Sequence, residues 1–224
     1  MQEPNPEIFS NNKWTILKEI AKSEQTPTEL TEKTGTSLSN IIQQLKLLEA
    51  YNIVKKERSQ ERNYGGKPKT VYSLNEEFVY AVMLKNGKAE KRVFKIEGIT
   101  TVLFNALFTA NIEDVLFILK FNTKNEDILK KCKAIGFIKS SKESIELFLI
   151  TDHVDEIRAK FSNIFIDDGS GKTKKIINWT HNEFEINDGL NRKDKYFMDM
   201  LKNAQVLYDP QSILLRAKEK RYST

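Results

Sequence analysis

The sequence is poor in the residues from which disulfide-bonded and zinc-binding proteins are built. Its 224 residues include one cysteine, Cys132, and two histidines, His153 and His181. A single thiol excludes an intrachain disulfide framework, and these three residues are too few for a zinc site of the usual cysteine and histidine kind. We therefore expect no metal ion and no cofactor.

Glycine, proline and long apolar runs are also scarce. The chain has 9 glycines and 5 prolines, and none of its apolar runs reaches the length of about 18 residues that a membrane span needs. The acidic, proline-containing stretch from Met1 to Ser10 lacks the apolar core of a signal peptide. With 39% hydrophobic and 30% charged residues, the composition predicts an ordered protein, and the length of 224 residues predicts two domains. Since neither a signal peptide nor a membrane span is expected, we predict a cytoplasmic protein with no membrane partner.

Positive charge is in moderate excess. The chain has 36 lysines and arginines against 31 acidic residues, which gives a net charge of +5 and a pI near 9.0. This balance suits a polyanionic partner, but many basic proteins are simply kept soluble by their charge. Whether the protein binds a polyanion therefore has to be judged from where the charge lies along the chain.

Three helices are predicted in the N-terminal region. Apolar residues at helical spacing indicate the first helix between Ile8 and Ala21. Thr26 to Glu29 supply a cap, a proline at the first helical position and an acid in the first turn, and Gly35 ends this second helix. The third helix is expected from Ser37 to Ala50. A short helix, a glycine turn and a helix with a polar face form the arrangement that reads DNA.

The polar face of the third helix supplies the candidate base-reading residues. These are Ser37, Ser39, Asn40, Gln43, Gln44 and Lys46. Carboxamides pair with adenine edges, and no arginine precedes Lys46 to contact guanine. The helix therefore favours adenine contacts or has a weak sequence preference. Each of these residues alone is more often merely solvated, so the prediction depends on the group.

A basic hairpin, or wing, is predicted directly after the third helix. Strands are expected at Ile53–Lys56 and at Thr70–Leu74, on either side of a loop that contains glycine. Positive charge is concentrated in this hairpin, where it can lie along DNA phosphates or enter the minor groove. The candidate DNA-binding residues of the wing are Arg58, Arg62, Lys67 and Lys69.

The segment from Thr34 to Val54 resembles the recognition-helix signature of ArsR- and MarR-type winged-helix regulators. The segment from Gly65 to Leu74 resembles the wing and return strand of the same regulators. The resemblance covers about a third of the chain and implies a winged helix-turn-helix over residues 1–75 that binds double-stranded DNA, usually as a homodimer. A winged helix that contacts only other proteins is the alternative.

A second hairpin is predicted over residues 76–97. Asn86 and Gly87 lie between two apolar runs, and Asn-Gly is a strong signal for a tight turn between strands. We interpret this hairpin as a linker between two domains. It can pack on the C-terminal domain or pair with a second subunit, and the sequence does not separate these arrangements.

Residues 98–224 alternate predicted helices and strands, so the whole chain is expected to be α+β. Helices are predicted near 100–109, 125–134, 152–161, 191–203 and 210–220, and strands near 145–151, 163–166 and 175–179. This α/β region resembles the minimal nucleotidyltransferase fold, in which a Gly-Ser turn precedes a strand with two metal-binding acids. The resemblance rests on Ser144–Ile150, Thr180–Phe184 and Val206–Asp209.

The acids that a nucleotidyltransferase needs are missing from this pattern. Ser144 stands in place of the first acid, Glu146 in place of the second, and Ile176 to Asn178 contain none. Two Mg²⁺ ions need several converging carboxylates, so the resemblance implies a degenerate, non-catalytic domain that dimerises, senses a ligand or binds a protein partner. A nucleotidyltransferase guided by a DNA-binding module and an antitoxin-like interaction protein are the alternatives.

The other conspicuous residues are interpreted as structural. The segment from Gly169 to Thr173 ends like a phosphate-binding P-loop, but Ile166 stands where that motif needs glycine, and a strand follows. A hairpin turn is therefore predicted there. The aromatic residues Trp179, Phe184, Tyr196 and Phe197 are expected in the core, and both histidines at the surface.

Overall fold

The structure, a computed structural model, describes residues 6–58, 69–97 and 99–223 of the chain. Two units are present, residues 1–96 and residues 97–224, which we call unit 1 and unit 2. Helices and strands occur in both units, which confirms the α+β prediction. The hairpin that we interpreted as a linker belongs to unit 1.

Unit 1 begins with three α-helices. They are α1 (Asn11–Ile20), α2 (Pro27–Thr34) and α3 (Leu38–Ala50), and a 3-10 turn at Pro6–Phe9 precedes them. Each helix buries its apolar side, and together with the first strand pair they enclose one core. The buried residues of this core are Ile8, Ile16, Leu17, Ile20, Leu30, Ile41, Leu45, Leu48, Ile53, Val54 and Tyr72.

The local signals at α2 explain where this helix begins and ends. The Thr26 hydroxyl accepts a hydrogen bond from Glu29 N at 3.2 Å, and the Glu29 carboxylate accepts one from Thr26 N at 2.7 Å. These bonds form a capping box and hold the pKa of Glu29 below its ordinary value. Gly35 ends the helix with φ of 66°, which a residue with a side chain rarely adopts.

Two antiparallel strand pairs complete unit 1. β1 (Val54–Arg58) pairs with β2 (Thr70–Leu74), and β3 (Phe78–Lys85) pairs with β4 (Lys88–Lys95). Gly87 lies in the turn between β3 and β4 with φ of 78°, as expected for the Asn-Gly turn. An isolated bridge between Gln25 and Tyr72 ties β2 to the segment before α2.

Unit 2 is built on a five-stranded sheet with the order β7-β8-β6-β5-β9. Its strands are β5 (Cys132–Ser140), β6 (Ser144–Thr151), β7 (Ile164–Asp167), β8 (Thr173–His181) and β9 (Gln205–Tyr208). Its helices are α4 (Ile99–Thr109), α5 (Ile112–Lys124), α6 (Glu126–Leu129), α7 (Val154–Lys160), α8 (Glu183–Asn191), α9 (Lys195–Asn203) and α10 (Ile213–Ser223). The pair β6 and β8 is parallel, and the other neighbouring strands are antiparallel.

Both faces of this sheet are covered. Along β6, Ile145 and Leu147 belong to one buried cluster, while Phe148 and Ile150 belong to another on the opposite face. Strands that are buried on both faces contain continuous apolar runs rather than alternating ones. The sequence of β6 has this character, and its position as the central strand follows from it.

The helix predicted near 125–134 is wrong over most of its length. Only Glu126–Leu129 is helical, and strand β5, which lies between β6 and β9 in the sheet, begins at Cys132. The run from Ala134 to Phe137 is buried throughout, and periodicity alone does not distinguish a short buried strand from a helix.

The turn predicted at Gly169 to Thr173 does join two antiparallel strands, since Asp167 pairs with Thr173.

The turn between β5 and β6 is fixed by a buried ion pair. Asp114 of α5 is 2% exposed and accepts hydrogen bonds from the Ser140 hydroxyl at 2.6 Å and from Lys174 Nζ at 2.5 Å. Lys174 also donates to the Ser141 carbonyl oxygen at 2.6 Å. One carboxylate thus connects α5, the turn and β8.

Replacing Asp114 by alanine is expected to destabilise unit 2. The change leaves the ammonium group of Lys174, whose side chain is 13% exposed, without its carboxylate, and breaking a buried ion pair in this way costs roughly 3–5 kcal/mol. Urea denaturation followed by circular dichroism measures the loss. Asp127→Ala is the control, because the Asp127 side chain is fully exposed. Equal stability of the two variants would contradict this role of Asp114.

His181 lies largely inside unit 2, which corrects the prediction that both histidines are at the surface. Its side chain is 13% exposed, with Nδ1 at 3.0 Å from Glu185 Oε2 and Nε2 at 2.8 Å from the Tyr196 hydroxyl oxygen. Burial lowers the pKa of His181 below its ordinary value, although Glu185 acts in the opposite direction.

The prediction that the four aromatic residues Trp179, Phe184, Tyr196 and Phe197 lie in the core is also wrong for most of them. Phe184 is 78% exposed, and Trp179 and Tyr196 are each 37% exposed, whereas Phe197 is partly buried in a core cluster. Phe184 lies on the outer side of α8. Apolar sequence neighbours do not show which side of a helix faces the core, and for this reason the prediction failed.

The partly buried His181 predicts a pH dependence of stability. Since its pKa is lowered in the folded state, the unfolded chain takes up the proton first, and stability is lost as the pH falls below the ordinary histidine value of 6.5. We expect the urea midpoint to fall more between about pH 7.5 and about pH 5.5 in the wild type than in His181→Gln. The same pH dependence in both proteins would contradict this role of His181.

Candidate nucleic-acid interface

The helix-turn-helix is formed by α2, the turn at Gly35, and α3. Leu30 of α2 and Ile41, Leu45 and Leu48 of α3 are each 0% exposed. This apolar stripe holds α3 against the core with one fixed side facing outwards. The rotation of the helix, and hence the identity of its exposed residues, follows from the stripe.

The outward side of α3 carries three of the predicted base-reading residues together. Ser39, Gln43 and Lys46 are exposed and follow one another at spacings of four and three residues, so they share one face opposite the buried stripe. An α-helix fits into the major groove of DNA, where hydroxyl, carboxamide and ammonium groups can bond to base edges. This face has the required chemistry.

Asn40 and Gln44 are placed differently from these three residues. Both are half-buried, and Gln44 Nε2 donates a hydrogen bond to Asn40 Oδ1 at 3.0 Å. Gln44 Oε1 is buried and has no hydrogen-bond partner among the residues that the structure describes. The two carboxamides bond to each other along the side of the helix, and Gln43 presents the more accessible one.

The exposed apolar residues of α3, which the sequence did not single out, are Leu38, Ile42 and Leu47. Leu38 is 47% exposed and Ile42 is 39% exposed. They are neighbours on the helix surface, four residues apart, and they flank Ser39 and Lys46. Exposed apolar side chains on such a helix can contact the methyl group of thymine. The spacing of Leu38 and Ile42 relative to the buried stripe is the sequence signal from which their exposure could have been predicted.

Ser37 lies at the N-terminal end of α3. It is the N-cap residue, but its side chain makes no capping hydrogen bond to the described part of the chain, and its hydroxyl oxygen lies 3.3 Å from that of Ser39. Both hydroxyls are exposed. The N-terminal end of α3, where the backbone N–H groups carry partial positive charge, therefore presents two hydroxyls that can bond to a phosphate or a base.

The described part of the wing is basic and exposed. On β1, Val54 is buried and the next four residues are exposed, including Lys55, whose Nζ lies 3.1 Å from Glu57 Oε1. Arg58 pairs with Thr70, so exposed Arg58 and exposed Lys69 lie at the same end of the hairpin. Arg62 and Lys67 lie outside the described residues.

Residues 11–56 match a family model described as bacterial regulatory protein, arsR family. Unit 1 carries an ArsR-type helix-turn-helix domain. The match extends from the first residue of α1 into β1 and confirms the predicted resemblance of the N-terminal segment. Such a domain binds double-stranded DNA in transcription regulators, and double-stranded DNA is therefore the partner of unit 1. No curated protein matches the chain.

In unit 2, the carboxylate of Glu146, which the sequence resemblance matched to a metal-binding acid, is already engaged by other side chains. Glu146 Oε2 accepts a hydrogen bond from Trp179 Nε1 at 3.0 Å, and Glu146 Oε1 lies 3.2 Å from Lys139 Nζ. The residue beside it on β8 is Ile177. Within residues 6–58, 69–97 and 99–223, no three histidine, cysteine, aspartate or glutamate side chains are grouped to hold a metal ion.

Cys132 is a buried free cysteine. Burial raises the pKa of the Cys132 thiol to about 12, so the thiolate, which is the reactive form, is nearly absent at neutral pH. None of the described helices is both long enough and apolar enough to cross a membrane.

Exchanging Gln43 for alanine is expected to weaken specific DNA binding more than exchanging Gln44. Loss of one bidentate base contact costs about 1–3 kcal/mol, which corresponds to a loss of roughly 5- to 150-fold in affinity for the preferred site. Fluorescence anisotropy with the preferred and a scrambled duplex measures the effect. Gln44→Ala is the matched control, and an equal or larger loss in that variant would contradict the orientation of α3 described above.

Proposed function

We propose that the protein is a sequence-specific transcription regulator that binds its operator as a homodimer and whose unit 2 has no catalytic activity. The observation that carries the proposal is the exposed face of Ser39, Gln43 and Lys46 beside a basic wing. Base edges are read by side chains of this kind, while lysine and arginine of the wing neutralise phosphates. Specific recognition needs both contributions.

The dimer follows from the geometry of helix-turn-helix recognition. One recognition helix contacts only a few base pairs, and two such helices related by a two-fold axis read half-sites about one helical turn apart. The operator is then an inverted repeat. A homodimer of this chain supplies two copies of α3 without any other protein.

The non-catalytic role of unit 2 is supported by how its polar groups are used. Glu146 is bound by Trp179 and Lys139, and the turn before β6 is held by Asp114 and Lys174. Phosphoryl transfer with two Mg²⁺ ions needs carboxylates that are free to converge on the metal. We assign unit 2 to dimerisation, to sensing a ligand or to binding a protein partner.

Selection of DNA fragments by the purified full-length protein tests this function. Random duplex DNA is incubated with the protein at several salt concentrations, and the bound fragments are sequenced. An inverted repeat among the recovered fragments supports a dimeric operator-binding regulator. Absence of binding to any duplex, even at low salt, would overturn the proposal and favour a role in protein interaction.

Replacing Lys67 and Lys69 by alanine is expected to weaken binding to all duplexes alike. Each lost phosphate contact lowers the slope of log affinity against log salt by about 0.9, so the slope should fall by about 2. A filter-binding series over salt measures it. The control, Lys172→Ala with Lys202→Ala, removes the same charge from exposed positions of unit 2. An unchanged slope in the wing variant would refute the role of the wing.

A further inference from the structure

The two strands of the second hairpin differ sharply in composition. β3 has the sequence FVYAVMLK, in which seven residues are apolar and only Lys85 is charged. β4 has the sequence KAEKRVFK, with five charged residues. Continuous apolar runs are typical of strands with neighbours on both sides, whereas charged residues are typical of edge strands. By sequence, β3 is a central strand and β4 is an edge strand.

In the structure, β3 has β4 as its only paired neighbour among the described strands. The hydrogen bond from Ile96 N to Glu77 O, at 3.1 Å, defines which backbone groups face β4. Since bonded pairs alternate along an antiparallel ladder, Ala81 bonds to β4, while Tyr80 and Val82 direct their N–H and C=O groups to the other edge. That edge is a template for a further strand.

The outer half of the hairpin is exposed although it is apolar. Val82, Met83 and Leu84 are 59%, 42% and 78% exposed. The base is held to unit 1 by the ring of Phe9, whose centroid lies 6.3 Å from that of Phe78 and 5.7 Å from that of Tyr80. An isolated two-stranded hairpin is at best marginally stable in water, and an exposed apolar edge invites pairing.

We propose that β3 pairs antiparallel with β3 of a second copy of this chain, which gives a four-stranded sheet in the order β4-β3-β3-β4. The charge distribution selects this partner. An antiparallel strand paired with its own copy places β3 against an equally apolar strand without like charges in opposition. The same pairing through β4 would bring Lys88, Lys91, Arg92 and Lys95 of two copies together, which is unfavourable.

Backbone N–H and C=O groups alternate in direction along β3, and this limits the registers in which two copies can pair. Residues 78, 80, 82 and 84 bond across the new edge, and a two-fold axis at Ala81 pairs all residues from 78 to 84. Tyr80 then lies opposite Val82 of the second copy, and Ala81 lies opposite itself in a non-hydrogen-bonded pair. The Cα atoms of such a pair are about 4.5 Å apart, within the range for a disulfide.

This inference rests on the proposed dimer and specifies its surface. The hairpin and α3 belong to the same unit, so pairing through β3 joins the two DNA-binding units directly. The charged β4 strands become the two outer edges of the sheet. Charged side chains at these edges prevent further strands from adding, which limits the assembly to two copies.

Disulfide cross-linking tests the register. We expect Ala81→Cys to give a covalent dimer under mild oxidation, seen on a non-reducing gel. The control is Arg92→Cys, at the position paired with Ala81 on β4, which should stay monomeric on the gel. Absence of a dimer in Ala81→Cys, or an equal yield in both variants, would overturn the pairing.

A proline variant tests the same edge without a new thiol. Val82→Pro removes from each copy an N–H that points away from β4, so the hairpin keeps its own bonds while each copy loses one hydrogen bond to the other. Light scattering is expected to show a rise in the dimer dissociation constant of tenfold or more. Ala89→Pro, which removes an outward N–H at the β4 edge, should leave it unchanged. A Val82→Pro variant that dimerises like the wild type would overturn the proposal.

These measurements are made without DNA, and this separates the two hypotheses. A monomeric wild-type protein that still binds duplex DNA would overturn the β3 pairing and leave the DNA-binding function intact. In that case the free edge of β3 is covered by another part of the chain or by another protein. A β3-linked dimer that binds no duplex would support the pairing and overturn the proposed function.

Discussion

Burial of the apolar stripe of α3 is the interaction on which the DNA-binding surface depends. Ile41, Leu45 and Leu48 are fully buried, and each contributes about 1.5–3 kcal/mol relative to exposure. The exposed polar residues contribute far less to the position of the helix. Their direction is therefore a consequence of core packing, and the wing extends from the same core through Val54 and Tyr72. A change in the stripe would displace Gln43 and the wing together.

In unit 2 as well, the chemistry open to a polar group depends on the side chains packed around it. A carboxylate is available for metal chemistry only when neighbouring side chains leave it unengaged, and Glu146 and Asp114 are both bonded to cations of the same unit. These contacts stabilise the sheet and its turns. The polar groups thus support structure, and this is the observation behind the proposed non-catalytic role of unit 2.

The accuracy of sequence prediction varied with the physical signal available. At α2, Thr26, Glu29 and Gly35 act locally, and the helix ends could be predicted from them. The strand β5 could not, because a short run buried on both faces has no distinguishing period. The bond between Asn40 and Gln44 depends on side-chain orientation within one helix, and residue type alone does not reveal it. The exposure of Phe184 likewise depends on which side of α8 packs against the sheet.

Hydrogen exchange of the full-length protein with and without bound duplex DNA tests the central claim most directly. If the outward side of α3 and the wing form the interface, backbone amides near residues 38–47 and 55–70 should exchange more slowly in the complex, while β5, β6 and β8 should be unaffected. Protection confined to unit 2, or no protection in α3 at saturating DNA, would contradict the account.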